Sequence, residues 1–383
     1  MVQYLTFLTF HHQPAQLRTA SHIPGSDMCD GCPKEDVADI CVLLRLPMST
    51  SPKISVILPF HDAEKTLDRA VSSIAQQAET DFELIMVDNR SGDRSRDIAE
   101  KWAAADNRFL LFDEPKKGVV FASNKGASKA RGRFIARMDA DDEAAANKLL
   151  LQSAYLEAHP HIDAVAGLVE HVPHTESAAG FSRFVDWSNS IQSSTEIFNN
   201  RFIELPVVNP TLMWRKETGE IHGLYRAGDF PEDYEMILRW LDAGVSIVKI
   251  PEVVLRWHDS ESRLTRTHPA YSDKAFYAIK SHYLAAWLQQ HNPFHPYVSV
   301  WGASRISRRR ARLLEPYGIR FANYIDTKKS RQLGRQVIFY KDLPPAGTMF
   351  ILSYIRQMDN RDRIREFLTQ RGYHEGTDFL MVS

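Results

Sequence analysis

The chain has 383 residues, 44% of them hydrophobic and 25% charged, an ordinary globular composition with enough length for a sizeable core in one large or two medium domains. With 47 basic and 48 acidic residues the net charge is −1, which argues against a nucleic-acid partner, and no apolar run reaches the length of a membrane span. All three cysteines, Cys29, Cys32 and Cys41, precede residue 50, so the rest of the chain has no disulfide framework and a cytoplasmic protein is expected.

Residues 1–50 have no sustained hydrophobic period and lack the basic start and cleavage site of a secretory signal. They are expected to be a disordered extension. Cys29-x-x-Cys32, with Cys41 and His22 nearby, is half of a zinc motif whose second pair is missing. Met48 followed by Ser-Thr-Ser-Pro reads as a natural start, an expectation that N-terminal sequencing of the native protein would check.

From Lys53 the pattern becomes regular. Ile54 to Leu58 is a short apolar strand ending at Pro59. Leu67, Ala70, Val71 and Ile74 then recur at helical spacing within Glu64 to Gln77. The run Phe82 to Val87 ends in Asp88, and the helix Asp93 to Ala105 leads to a third strand, Phe109 to Phe112. A small-residue helix from Phe121 to Ala130 precedes the strand Phe134 to Met138. Strands alternating with helices imply a parallel sheet with right-handed crossovers. Ligands of such sheets sit at the carboxyl ends of the strands, which is where Pro59, Asp88 and Asp139 fall. Residues 146–260 are less regular, with strands at Ala164 to Val169, Thr211 to Trp214 and Ser246 to Ile250 and a helix from Pro231 to Ala243 stopped by Gly244. A long helical pattern covers Tyr271 to Gln290, and "HNPFHP" breaks it. The remainder alternates again: strands at Val298 to Trp301, Ile319 to Ile325, Met349 to Tyr354 and Phe379 to Val382, with helices between them.

The expected organisation is therefore an α/β domain over 51–268, a helical linker over 269–295 and a smaller Rossmann-like α/β domain over 296–383. In the last of these, Gly302-x-Ser304-x-x-Ser307 stands where a dinucleotide fingerprint has three glycines. Two of the three are serine, so a structural or interaction unit is expected there rather than a dinucleotide site. Self-association, if the chain oligomerises, is assigned to this unit.

Asp139-Ala140-Asp141-Asp142 directly follows a buried-type strand. Carboxylates this close raise one another's pKa unless they are solvated or a cation lies among them. Mg²⁺ or Mn²⁺ suits such an oxygen set and commonly bridges to substrate phosphates. The competing reading is a solvated acidic loop. Asp88 opens "VDNRSGD" and is equally readable as a turn former or as an acceptor for a ribose or base. Glu232-Asp233 opens a helix, where acidic residues favour the dipole and Asp229 with Glu232 has the spacing of a capping box.

Taken together, "ISVILPFHDAEKTLDRAVSSIAQQ", "FELIMVDNRSGDRS", "ARGRFIARMDADD" and "PEDYEMILRWLDAG" resemble, in order and spacing, the family 2 inverting glycosyltransferases with a GT-A fold. The resemblance covers residues 53–265 and is followed here by the Rossmann-like unit. It implies a mostly parallel mixed sheet flanked by helices, a nucleotide-sugar donor carrying UDP or GDP, a divalent cation (Mg²⁺ or Mn²⁺) and a carbohydrate or lipid-linked acceptor in cell-envelope polysaccharide or glycoconjugate synthesis. By this resemblance Pro59, Phe60, Glu64 and Asp88 line the donor pocket, joined by Asp139 and Ala140. Asp139 and Asp141 form the Asp-x-Asp metal site, with His258 as a further metal ligand. Arg263 and Arg266 neutralise the departing diphosphate, and Asn209, Trp214 and Arg215 face the acceptor. Asp233 is the base, capped or oriented by Glu232. His61 and Asp62 stand where the family usually has an aromatic residue and Asn. A lipid-linked acceptor would bring the protein to the inner face of the membrane as a peripheral contact. The alternatives weighed are a catalytically inactive nucleotide-sugar-binding scaffold and a nucleotidyltransferase; the latter would need a Gly-rich basic loop that "LPFHDAEKTLDRA" does not supply.

Overall fold

The computed structural model describes residues 51–173, 179–259, 263–328 and 337–383; the Cys29–Cys32 motif, Cys41 and His22 lie outside them. Ser51–Ser383 is one compact unit built on two sheets. The first contains β1 (Ile54–Phe60), β2 (Phe82–Asp88), β3 (Phe109–Asp113), β4 (Phe134–Arg137), β5 (Glu143–Ala144), β6 (Ala164–Val172), β7 (Met213–Arg215) and β8 (Ile247–His258) in the spatial order β3-β2-β1-β4-β7-β6-β8-β5. β1 to β4 are mutually parallel, β7 runs antiparallel to both β4 and β6, and β6 is parallel to β8. The second contains β9 (Tyr297–Trp301), β10 (Arg320–Asp326), β11 (Val337–Phe339), β12 (Ile351–Ser353) and β13 (Phe379–Met381), all parallel, in the order β11-β10-β9-β12-β13. A mixed, mostly parallel sheet with a smaller parallel one is the expected fold class.

The continuous apolar runs of β1 and β2 follow from cover on both faces: every residue of both strands is buried. On one side the helix Leu67–Ala75 buries Leu67, Ala70, Val71 and Ile74. On the other the helix Val119–Lys129 comes so close that a Cβ at Gly126 would lie 2.5 Å from Ile57 Cγ2. Only a residue without a side chain fits there.

The register fixes the site. Phe60 pairs with Asp88 and Ile57 with Arg137, and the Met138 N–H donates to the Ile57 carbonyl at 3.0 Å. Continuing that register brings Asp139 level with Pro59. β4 stops at Arg137 and the chain re-enters the sheet as β5 at Glu143, antiparallel to β8, so residues 138–142 form a tight turn at the carboxyl end of β4.

The helix Asp273–His291 buries Tyr277, Leu284, Trp287 and Leu288. They share a cluster with Tyr234 and Leu238 of the helix Glu232–Asp242 and with Val298, Val300, Leu314 and Phe350 around the second sheet. Its Lys280 ammonium is buried, donates to the carbonyls of Ile203 (3.1 Å) and Val382 (3.0 Å), and is pushed down to about 7 by burial.

β8 runs through His258 and its end pairs with β6. One local expectation changes. The capping box of Asp229 and Glu232 is not formed: Pro231 is the N-cap of the helix Glu232–Asp242 and Asp229 is exposed.

Candidate functional site

The acidic turn after β4 is held by cations on both sides. Arg137, 3% exposed, donates from Nε (2.8 Å) and Nη2 (2.7 Å) to Asp139 Oδ1, and a further bond to the Ser123 hydroxyl fixes the guanidinium. Arg263 donates from Nε to Asp141 Oδ2 at 3.1 Å and from Nη2 to Asp142 Oδ1 at 2.9 Å, and stacks over the Trp257 ring at 4.4 Å. Arg69 holds the Asp141 carbonyl at 2.6 Å. One oxygen from each of Asp139, Asp141 and Asp142 lies within 4.8 Å of the others.

Asp142 is fully buried, and its Oδ2 has no hydrogen-bond partner. Burial drives its pKa well above the ordinary carboxylate value, with Arg263 pulling it back and Asp141 and Asp139 pushing it further up. An orphaned buried acceptor among repelling carboxylates is a site that a hard cation would satisfy, and the all-oxygen donor set suits Mg²⁺ or Mn²⁺. Asp142→Ala, which leaves the buried Arg263 with Asp141 as its remaining carboxylate partner, is expected to cost about 1–3 kcal/mol in urea unfolding.

At the ends of β1 and β2 two loops are tied together. Asp88 is 5% exposed; its Oδ1 accepts from the Ser91 N–H at 2.9 Å and its Oδ2 lies 3.4 Å from Arg96. Phe60 accepts from the Asn89 N–H through its carbonyl at 2.9 Å. Asp62 has φ +48 and accepts from the Gly92 N–H at 2.7 Å. Glu64 donates its N–H to Asp93 (3.0 Å) and accepts from the Arg94 N–H (3.3 Å). Asp62 and Glu64 thus knit the two loops, while the buried Pro59 and Phe60 form the floor beside Asp88.

The second acid pair opens the helix Glu232–Asp242. The Tyr271 hydroxyl donates to Glu232 Oε2 at 2.6 Å, and the Tyr234 N–H donates to Asp233 Oδ1 at 2.7 Å. Burial, then the charge of Glu232, then that of Asp139 push Asp233 up to about 8 against the pull of the Tyr234 N–H. Glu232 is also raised, by burial first, with Asp139 contributing and Tyr271 and Arg137 opposing. Asp139 thus adds to the rise of both members of the pair. Tyr225 lies beside Arg137, the partner of Asp139. Its hydroxyl donates to Asn209 Oδ1 at 2.9 Å, the Arg137 guanidinium lies 5.7 Å from its ring, and burial raises its pKa with Asp139, Glu232 and Asp233 adding to the rise.

Three expected contacts are placed elsewhere. Trp214 is 1% exposed and packs edge-on against Trp240 at 5.9 Å in the core, so it offers no face to an acceptor. Arg215 pairs with Phe134 at the start of β4, the end remote from Asp139, and its guanidinium is spent on the carbonyls of Leu156 (2.6 Å), His159 (3.1 Å) and Ile162 (2.9 Å). His258 does not join the carboxylate triad: its ring Nε2 lies 3.4 Å from Glu143 and its backbone N–H donates to Asp142 at 3.1 Å. Arg266 binds Asp259 at 2.6 Å. Ala140, half-buried, packs at the edge of the core. Asn209 accepts from the Tyr225 hydroxyl. Arg137, Tyr225 and Tyr271 are not among the residues that the sequence marks as a site. The signal for Arg137 was an arginine inside an otherwise apolar strand, two residues before an aspartate.

Residues 55–219 match the family model "Glycosyl transferase family 2". An uncharacterised glycosyltransferase of Haemophilus influenzae is 28% identical over 229 residues, 58% of this chain and 70% of that protein. EpsE of Bacillus subtilis, named as a glycosyltransferase, is 36% identical over 120 residues, 31% of this chain and 43% of its own length. The UDP-Glc:alpha-D-GlcNAc-diphosphoundecaprenol beta-1,3-glucosyltransferase WfgD of Escherichia coli is 38% identical over 100 residues, 26% of this chain and 39% of WfgD. The chain thus spans less than half the length of EpsE and of WfgD. Among solved structures, S. aureus TarS with UDP-GlcNAc aligns with a TM-score of 0.49 at 19% identity, covering 69% of this chain and 71% of that one.

Proposed function

We propose, from the premise that residues 55–219 make this chain a member of the family 2 glycosyltransferases, that it moves a sugar from a nucleotide-diphosphate donor to an acceptor hydroxyl with inversion. What supports this reading is the presence of two differently built acid clusters, linked along the chain from Arg263, which holds Asp141 and Asp142, to Tyr271, which holds Glu232. One is a set of three carboxylates sharing an orphaned buried oxygen; the other is a helix-opening pair on which Asp139 exerts its charge.

The buried floor of Pro59, Phe60 and Asp88 takes the nucleoside, with the loops joined by Asp62 and Glu64 as its rim. Asp139, Asp141 and Asp142 would hold Mg²⁺ or Mn²⁺, which when bound stabilises negative charge on a diphosphate. Arg263, already beside Asp141, has a buried Nη1 with no partner, and this donor is offered to a leaving diphosphate oxygen. Asp233 takes the acceptor proton as the hydroxyl oxygen bonds to the anomeric carbon. The bond from that carbon to the diphosphate oxygen breaks in the same step, and its electron pair leaves with the nucleoside diphosphate. Tyr271 holds Glu232, whose charge keeps Asp233 basic enough for this task. Asn209, oriented by Tyr225, faces the acceptor. The name of WfgD supports a UDP-sugar donor and a diphospholipid-linked acceptor in cell-envelope polysaccharide synthesis.

The test is nucleoside diphosphate release from a panel of UDP- and GDP-sugars with Mn²⁺ or Mg²⁺. Release is expected to stop on addition of EDTA, to return with either cation and to be lost in Asp141→Ala. Tight nucleotide binding without turnover of any donor and acceptor would favour the inactive scaffold instead.

A further inference from the structure

We propose that the arginine face of the helix Arg305–Ala311 is a docking surface for an anionic lipid bilayer. Arg305, Arg308 and Arg309 stand at i, i+3 and i+4 of the helix, the spacing that puts side chains on one face, and Arg312 opens the 3-10 turn that follows it. Arg305, Arg309 and Arg312 are exposed and Arg308 is half-buried, while Ser307, Ala311 and Leu314 face inward. Ile306, beside Arg309 on the helical wheel, is 56% exposed. Arg356, 65% exposed, comes from the segment after β12 and lies 3.6 Å from Asp273 Oδ2, which Arg310 also approaches at 3.4 Å. Arg312 and Arg320 line a groove of about 560 Å³ with Glu315, Phe321 and Tyr324. Asp273 and Glu315 are thus the acids met by this set, and the arginines outnumber them.

A merely solvated face would carry both signs. Here the pair Arg305/Arg309 sets like charges one turn apart, which weakens a helix, and Arg308 and Arg312 add to them, in a chain whose overall net charge is −1. That cost is offset by a partner bearing regularly spaced negative charge. The exposed isoleucine beside the arginines selects a bilayer: phosphate headgroups meet the guanidinium groups while an apolar side chain enters the boundary beneath them. The place in the fold agrees. Asp273, gripped by Arg310 and Arg356, lies two residues beyond Tyr271, the partner of Glu232. A bilayer seated here would bring a lipid-carried hydroxyl toward Asp233. That last step rests on the function proposed above; the binding itself does not.

The test is co-sedimentation of the full chain with vesicles of phosphatidylcholine alone or mixed equally with phosphatidylglycerol. Binding to the mixed vesicles only is expected, with release at about 1 M salt, where screening acts within a few ångströms. Arg305→Glu/Arg309→Glu should lower the partition about tenfold or more. The neutral pair Arg305→Gln/Arg309→Gln and Ile306→Asp should fall between, with thermal melting showing all variants folded. Nucleoside diphosphate release with a soluble acceptor should be unchanged in every variant, which separates this surface from the catalytic reading. The proposal is overturned by equal binding to neutral vesicles, by no binding to either kind, by full binding of the charge-reversed pair, or by RNA homopolymer displacing the protein from vesicles at equal charge.

Discussion

Asp233→Asn is expected to lower sugar transfer by about 10²–10⁴-fold, the usual contribution of a positioned general base, while raising the melting temperature near neutral pH. The amide cannot accept the acceptor's proton, whereas the loops after β1, β2 and β4 that would hold the donor are untouched. kcat should therefore collapse with little change in donor KM. The wild-type kcat/KM should climb with pH as Asp233 loses its proton at about 8, far above an ordinary carboxylate, and this limb should vanish in the variant. The stability effect has the opposite sign. The folded state keeps a proton on Asp233 that the unfolded chain releases near 3.8. Stability from this group is thus fully present below that value and is lost as pH rises toward 8. Asparagine removes the loss, so its advantage over aspartate should widen across that interval. Retained transfer, or a variant that melts lower at pH 8, would remove Asp233 from the role of base.

Trp214→Ala is the second large effect, and it separates core from site. The indole is almost fully buried against Trp240 with an interplanar angle of 68°, and a Cβ added at Gly219 would come within 3.1 Å of Trp214 Nε1. Truncation leaves a cavity that close-packed neighbours cannot fill, at a cost of about 3–5 kcal/mol. Urea unfolding should show this as a lower midpoint, while the folded fraction keeps its acceptor KM. A raised KM at unchanged stability would return Trp214 to the acceptor side.

These two residues also mark what could be read from the chain alone. The places of Asp233 and of the aspartates after β4 at element ends were legible because strand and helix patterns stop there and charge begins. Trp214 and Arg215 were misplaced because a three-residue strand has too little pattern to reveal which face or which end is buried. β7 runs antiparallel to β4, and that direction decides that Arg215 lies at the foot of the sheet. Tyr271 was unreadable as a site residue for a different reason: its partner Glu232 is remote in sequence, and only the packing of the intervening elements joins them. The alternation of strands and helices, in contrast, is a local property, and both parallel regions follow from it.

The stretch from Arg263 to Tyr271 grips Asp141 and Asp142 at one end and Glu232 at the other. Lengthening or shortening it by a single residue would disturb both grips at once. Natural variation in how such a chain selects what it takes and where it delivers is therefore expected to accumulate outside this tether, which works as a shared ruler whose length both halves of the reaction must respect.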